Sequence, residues 1–234
     1  MIELSVIVPT LNEEKELPNL LDSIKKQSYK NYEIIIADNN SKDNTIKIAK
    51  KYKCRIVKGG LPAKGRNTGA KLAKGNLLLF MDADAILPLN SLNKLIKRFK
   101  DEKIDVASVY VTPISKRIID KFLHGAYNLW AKMMQFTDPY LTGAFILVRK
   151  DIFRKLKGFD EKISVAEDHA FGRLAKMHGA KIKILKEARV LISVRRLDQE
   201  GRLVNVVRYI SWGFHRTFIG EIKSKSFGYK WKKK

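Results

Sequence analysis

The first hundred residues alternate between two hydrophobic patterns. Short continuous apolar runs predict buried strands over residues 4–8 (Leu4-Ser5-Val6-Ile7-Val8), 32–37, 55–57 and 77–81. Between the runs, apolar residues spaced three and four apart predict helices. The first opens near Pro18 and runs to about residue 27, with Leu17, Leu20, Leu21 and Ile24 on one side. The second covers 45–52, capped by Asn44 or Ser41, and a third covers 67–74 after a Gly/Lys loop over 58–65. Strands apolar on both faces, alternating with helices, predict an α/β fold: a mostly parallel central sheet with helices on both faces. Polar residues collect just past the carboxyl ends of the strands, where open α/β sheets bind ligands, so the active site is expected there.

Beyond residue 100 the pattern loosens. Strands are predicted over 104–111, 140–149 and 181–185, and helices over 116–135, 151–156, 167–177 and within 203–222. The 116–135 helix sets Ile118, Ile119, Phe122, Leu123, Ala126, Leu129, Trp130, Met133 and Met134 on one face. Lys121, His124, Asn128 and Lys132 lie on the other. Such a face packs on a sheet or lies in a membrane interface, and the pattern leaves both readings open here and for 203–222. No repeat or low-complexity linker divides the chain, so residues 1–234 are read as one domain.

Charge narrows the choice of partner. The chain holds 47 Lys and Arg against 24 Asp and Glu, a formal net charge of +23. That favours polyanions: nucleic acid, anionic lipid or phosphorylated substrates, although lysine enrichment also follows from thermophily or simple surface solvation. No helix-turn-helix, zinc-finger or RNP-type motif is present, so no specific nucleic acid is expected. The single cysteine, Cys54, rules out an internal disulfide and a Cys/His zinc cluster. His124, His169, His178 and His215 have no metal-ligand partner at helical spacing. No signal-peptide pattern opens the chain, and no apolar run nears the roughly 20 residues that span a bilayer. A cytoplasmic protein is expected, either soluble or peripheral at the cytoplasmic face of a membrane.

The chemistry-bearing residues sit at strand ends. Asp82-Ala83-Asp84 closes the 77–81 run, and alternation along a strand puts both carboxylates on one side. Paired carboxylates repel unless a cation lies between them, and hard divalent ions suit oxygen ligands. The tripeptide is common, however, and also serves as a loop or helix cap. Glu167-Asp168 opens a helix, a place where negative charge is favourable in any protein. It is equally a carboxylate pair able to accept a proton. Arg195-Arg196 reads as a bidentate phosphate clamp or an exposed basic pair.

Taken in order, these pieces resemble a known family. Val6-Ile7-Val8-Pro9-Thr10-Leu11-Asn12-Glu13-Glu14 is followed by Asp38-Asn39-Asn40-Ser41 after a strand. Lys64-Gly65-Arg66-Asn67-Thr68-Gly69, Asp82-Ala83-Asp84, Gly158-Phe159-Asp160-Glu161 and Glu167-Asp168 come next. The set strongly resembles family 2 glycosyltransferases of GT-A fold over roughly residues 3–185. The resemblance implies an inverting transfer from a nucleotide-diphosphate sugar, UDP by default, with Mg²⁺ or Mn²⁺. It makes 1–100 the nucleotide-sugar-binding half, 101–222 the acceptor-binding half and 223–234 a basic tail. Pro9, Thr10 and Glu13 are expected along the base and ribose, with Asp38 as the first nucleotide-contacting carboxylate. Asn39 stands where the family often has a second aspartate. Arg66 and Asn67 are expected beside the donor, Lys64 and Arg195-Arg196 toward the diphosphate, and Gly143 under the donor sugar. The Asp82-Ala83-Asp84 segment carries the metal pair, Asp82 and Asp84. Asp168 is the expected catalytic base, and Glu167 orients it or contacts the sugar. The acceptor is open: a glycan, or, if the amphipathic segments meet an anionic membrane, a lipid-phosphate or lipid-linked sugar.

Two other classes remain. A sugar-phosphate nucleotidyltransferase would need a glycine-rich basic loop after the first strand, where this chain has Pro9-Thr10-Leu11-Asn12-Glu13-Glu14. A polyanion-binding protein without catalysis is suggested by charge alone.

Overall fold

The computed structural model describes residues 2–223, leaving the expected basic tail outside the described residues except for Lys223. One eight-stranded sheet runs in the order β3-β2-β1-β4-β7-β6-β8-β5. β1 (Leu4–Thr10) lies parallel between β2 (Tyr32–Asp38) and β4 (Leu77–Phe80), and β3 (Arg55–Lys58) lies parallel to β2. The register sets Thr10 beside Asp38 and Asp38 beside Lys58, so three strand ends finish level. The other half is mixed. β7 (Ile146–Arg149) runs antiparallel to both β4 and β6 (Val106–Pro113). β8 (Ile182–Ile192) is parallel to β6, and β5 (Ala85–Ile86) pairs antiparallel at the edge. Four of the seven pairings are parallel, as a mostly parallel sheet requires.

Helices cover both faces because strand side chains alternate. Leu4, Val6 and Val8 of β1 join Leu17, Leu20, Leu21 and Ile24 of α1 (Leu17–Lys25) in one core layer. Ile7 of β1 and Leu78 and Phe80 of β4 join the opposite layer. There they meet α3 (Pro62–Leu72), α6 (Lys150–Lys155) and α7 (Glu167–Met177). Gly69 of α3 is obligatory, since a Cβ there would lie 2.4 Å from Ile7 Cγ2.

Several boundaries differ from the sequence reading. The expected loop over 58–65 already contains α3, which starts at Pro62, a residue pre-set for the first helical turn. α2 (Thr45–Lys51) has Asn44 at its cap position without a side-chain cap bond. Asp43 accepts the Thr45 N–H at 3.0 Å instead, while the Asn44 amide donates to Glu14 at 2.9 Å. The expected strand 140–149 shrinks to β7 because residues 142–145 turn, with Phe145 N–H donating to Thr142 O at 2.9 Å. β8 runs well past residue 185, and β5, α4 (Ser91–Asp101) and α8 (Arg195–Glu200) were not foreseen.

The two amphipathic segments do form helices, α5 (Ile118–Met134) and α9 (Arg202–Phe218), but much of their apolar surface is exposed while polar residues are buried. The inward residues of α5 are Asp120, Asn128 and Ala131, while Ile118 is 83% and Phe122 68% exposed. Asn128 acts as an extra strand residue: its amide donates to Val111 O at 2.8 Å and its carbonyl accepts Val111 N–H at 2.9 Å.

Candidate active site

The strand ends and α7 enclose a cleft of about 530 Å³. Its walls include Pro9, Thr10, Glu13 and Asn39 from the parallel half, and Asp82, Ala83 and Asp84 beyond β4. Gly143, Glu167 and Asp168 close it from the second half, with Arg66 from α3 and Arg195 and Arg196 from α8. An apolar end is walled by Leu123 and Tyr127 of α5 and Val206, Tyr209 and Ile210 of α9.

The floor is one ionic cluster around Arg66, whose side chain is 3% exposed. Its Nη1 donates to Glu167 Oε1 at 2.5 Å and its Nη2 to Asp82 Oδ1 at 2.9 Å. Burial alone would lower the Arg66 pKa, but Asp82, Glu167 and Asp168 outweigh it and hold the guanidinium charged. A side chain at Gly143 would displace this cluster, because a Cβ would sit 2.6 Å from Arg66 Nη2 and 3.0 Å from Asp82 Oδ2. Its backbone N–H donates to Asp168 Oδ2 at 2.8 Å, while His169 N–H donates to Oδ1 at 2.8 Å. Burial raises the pKa of Asp168 and of Glu167, partly offset by Arg66. A buried carboxylate with raised proton affinity, held by two backbone donors, is suited to accept a proton.

Asp82 and Asp84, the expected metal pair, are crowded rather than caged. Burial first, then the Asp82 and Glu13 carboxylates, push Asp84 up to about 7 against the pull of Arg195 and Arg196. Among the described residues no group of three or more His, Cys, Asp or Glu could by itself hold a metal ion. Glu13 is spanned by Arg195, whose Nη2 lies 3.1 Å from each of its oxygens.

Behind Asp168 lies a second cluster on α9. Arg216, with a side chain 1% exposed, donates from Nη1 to His169 Nδ1 at 3.1 Å and from Nε to Glu221 at 3.0 Å. Burial, then Arg216, lower the His169 pKa to about 3, so the ring stays neutral beside Asp168.

Ala166, just before Glu167, has φ of 59°, a left-handed conformation that costs a Cβ-bearing residue about 1 kcal/mol. The segment is held by α9 and the residues after it: Ser164 N–H donates to Ile222 O at 2.9 Å, and Val165 packs with Trp212 and Ile222. Ala166→Gly is therefore expected to raise stability by about 0.5–1 kcal/mol. Urea melts of both forms read this, and a loss of stability would mean the geometry is not intrinsically strained.

The profile of the family described as "Glycosyl transferase family 2" matches residues 5–157, most of the chain. The chain belongs to glycosyl transferase family 2. Among relatives, it is 34% identical over 184 residues to the poly(ribitol-phosphate) beta-N-acetylglucosaminyltransferase TarP of Staphylococcus aureus strain N315. That match covers 73% of this chain and 56% of TarP. It is 25% identical over 235 residues to a poly(ribitol-phosphate) beta-glucosyltransferase of Bacillus spizizenii, covering 95% of this chain and 37% of the relative. The chain thus spans between about a third and somewhat over half of these relatives. The crystal structure of S. aureus TarS 1-349 in complex with UDP-GlcNAc superposes with a TM-score of 0.68 at 23% identity, covering 82% of this chain and 58% of that one. Mannosyltransferase PcManGT from Pyrobaculum calidifontis, in complex with GDP-Man and Mn²⁺, gives 0.65 at 21% identity, over 82% and 57%. The expected GT-A fold class is borne out.

Within the family 2 cleft, the sequence-predicted residues divide by position. Most of them line it, from Pro9 and Thr10 to Arg195 and Arg196. Asp38, Lys64 and Asn67 do not. Asp38 shapes the turn from beneath, accepting from Thr10 Oγ1 at 3.0 Å and Ser41 N–H at 2.9 Å. Lys64 is exposed and its stem lies against Gly60, which is on the rim. Asn67 was expected beside the donor. Its amide instead clamps the 158–159 turn, donating to Phe159 O and accepting Phe159 N–H, both at 2.9 Å. Sequence reasoning missed Tyr127, Thr142 and Arg216. The spacing of Asp120, His124 and Asn128, four apart on α5, was the available sign that its polar stripe faces inward.

Proposed function

We propose that this cleft transfers a sugar from a nucleotide-diphosphate sugar, UDP-linked in the first instance, to an acceptor hydroxyl with inversion at the anomeric carbon. The observation that carries the reading is the joining of Asp82, Arg66, Glu167 and Asp168 into one cluster on the cleft floor. Asp168 takes the proton that the acceptor hydroxyl loses as it attacks. Gly143 N–H and His169 N–H fix its carboxylate, and neutral His169 keeps a positive charge from suppressing its basicity. Arg66 and Glu167 hold the floor under the donor sugar. Pro9, Thr10, Glu13 and Asn39 take the base and ribose, with Asp38 shaping that wall. Arg195 and Arg196 turn to the diphosphate, with Lys64 reaching it from the rim; Arg195 shares or leaves Glu13 as phosphate arrives.

Asp82 and Asp84 are the residues to hold Mg²⁺ or Mn²⁺. Two protein carboxylates completed by substrate phosphates is a usual mode for Mg²⁺. The mutual crowding that raises Asp84 is the strain a cation relieves. When bound, the ion neutralises charge on the diphosphate leaving group. The acceptor enters from the apolar end between α5 and α9, which suits a lipid-linked hydroxyl at the cytoplasmic face of a membrane better than a free glycan.

The test is thermal shift with UDP, GDP and their sugars, with and without Mn²⁺ or Mg²⁺. A ligand selective for the native state stabilises by RT ln(1 + [L]/Kd), about 2.7 kcal/mol at a hundredfold excess over Kd. Metal-dependent stabilisation by UDP is expected in the wild type and absent in Asp84→Ala of unchanged fold. Metal-independent binding in both proteins would remove the proposed ion site.

A further inference from the structure

Helices α5 and α9 each expose an arc of large apolar side chains. On α5, Ile118, Ile119, Phe122, Leu129, Trp130 and Met133 are 47–83% exposed. At about 100° per residue they occupy roughly one third of the helix circumference. On α9, Leu203, Val204, Val207, Ile210, Phe214 and Phe218 are 52–76% exposed and fall in a similar arc. Meanwhile each helix turns its polar residues inward. Asp120 is 0% exposed and receives Arg202 in bidentate fashion, at 2.6 and 2.9 Å, which ties the start of α9 to α5. On α9, Asn205 and Arg216 are buried together with Trp212. A soluble helix places these groups the other way round. Contiguous exposed apolar surface of this kind marks an interaction site.

We infer that the outer faces of α5 and α9 seat the protein in the interface of an anionic lipid bilayer, so that the apolar end of the cleft opens toward lipid. Charge selects this occupant. Residues 116–136 and 201–219 contain one acidic residue, the buried Asp120, while Lys116, Arg117 and Lys121 stand exposed at the start of α5. A second copy of a chain with formal charge +23 would be repelled by the first, whereas an anionic headgroup layer attracts it. Among the described residues no helix is long and apolar enough to cross a membrane, so the pair lies on the surface. Leu123 and Tyr127 on α5, and Val206 and Tyr209 on α9, carry apolar surface from the helices into the cleft. The idea that a lipid-linked acceptor reaches Asp168 along this wall rests on the transfer reading; the surface itself does not.

The full chain is tested with phosphatidylcholine vesicles, with and without phosphatidylglycerol. Wild type is expected to cosediment with the anionic vesicles and to blue-shift its tryptophan emission, a shift mostly lost in Trp130→Phe. The triple variant Phe122→Ser, Phe214→Ser and Phe218→Ser keeps every charge, and its vesicle affinity should fall by at least about tenfold. Undiminished binding by the triple variant would mean that basic charge alone holds the protein, and overturns the inference. So would a wild-type dimer that the same variant dissociates and that ignores vesicles, since the face would then cover a second copy. Metal-dependent UDP stabilisation is followed in parallel in every variant. Absence from wild type of stabilisation by any of the nucleotides or nucleotide sugars, with or without metal, removes the transfer reading and leaves the vesicle result to stand or fall alone.

Discussion

Asp168→Asn is expected to slow sugar transfer by about 10²–10⁴-fold while leaving donor affinity within about twofold. The asparagine carbonyl can still accept the Gly143 N–H that now meets Asp168 at 2.8 Å, so the 142–145 turn keeps its anchor. What the amide cannot do is take up a proton. The effect should therefore appear in kcat, with KM for the donor and UDP-induced stabilisation little changed. The wild-type pH profile supplies a second readout. Burial raises the Asp168 pKa, Arg66 pulls against it, and the base acts only when deprotonated. The rate should climb with pH through a midpoint above the ordinary aspartate value of about 3.9, and this limb should vanish from the residual activity of the variant. Near wild-type kcat, or an equal loss of donor binding, would assign Asp168 a structural role instead.

The parts of this molecule that the sequence reveals are those whose environment is symmetric. β1 and β4 are apolar on both sides because each face of the sheet is covered, so a continuous run identifies them without knowledge of the fold. α7 was legible end to end, since Glu167 and Asp168 open it and its apolar spacing persists to Met177. The α4 spacing of Leu92, Leu95, Ile96 and Phe99 is an equally regular helical pattern. The orientation of α5 was not fixed by its periodicity, and only the Asp120, His124, Asn128 stripe hinted at it. Periodicity fixes that a helix has two unlike faces, and only the partners decide which faces inward. Asp120 finds Arg202 at 82 positions' distance, and Asn128 finds the backbone of Val111. Where polar residues have such partners, an apolar stripe can be left outside. The same non-local dependence hid Asn67. Its motif position suggested a ligand contact, but the left-handed turn at Gly158, with φ of 76°, offers both groups its amide needs.

Arg66 is the centre on which fold and site coincide, and Arg66→Met should show both. The substitution keeps the unbranched stem but removes the positive charge shared by Asp82, Glu167 and Asp168. Breaking a buried ionic cluster by deleting one partner costs about 3–5 kcal/mol, because the remaining charges stay desolvated and uncompensated. For a chain of this length that is a fall of roughly 10 °C or more in Tm. The loss should depend on pH. Glu167 and Asp168 already have raised pKa values from burial, and without Arg66 these rise further. The folded variant then holds protons that the unfolded chain releases, so its stability is retained at low pH and lost as pH rises through the folded-state values. Chemical denaturation at about pH 5 and pH 8 should give a deficit at the higher pH at least twice that at the lower. Arg66→Lys should recover only part of it, since one ammonium cannot reach Glu167 Oε1 and Asp82 Oδ1 with the planar fork that spans them. A deficit equal at both pH values would locate the cost in lost packing against Phe159, whose ring lies 5.5 Å from the guanidinium, and not in the carboxylates. In that case the cluster would contribute little to holding the floor, and Asp82 would be available to a cation without competition from Arg66.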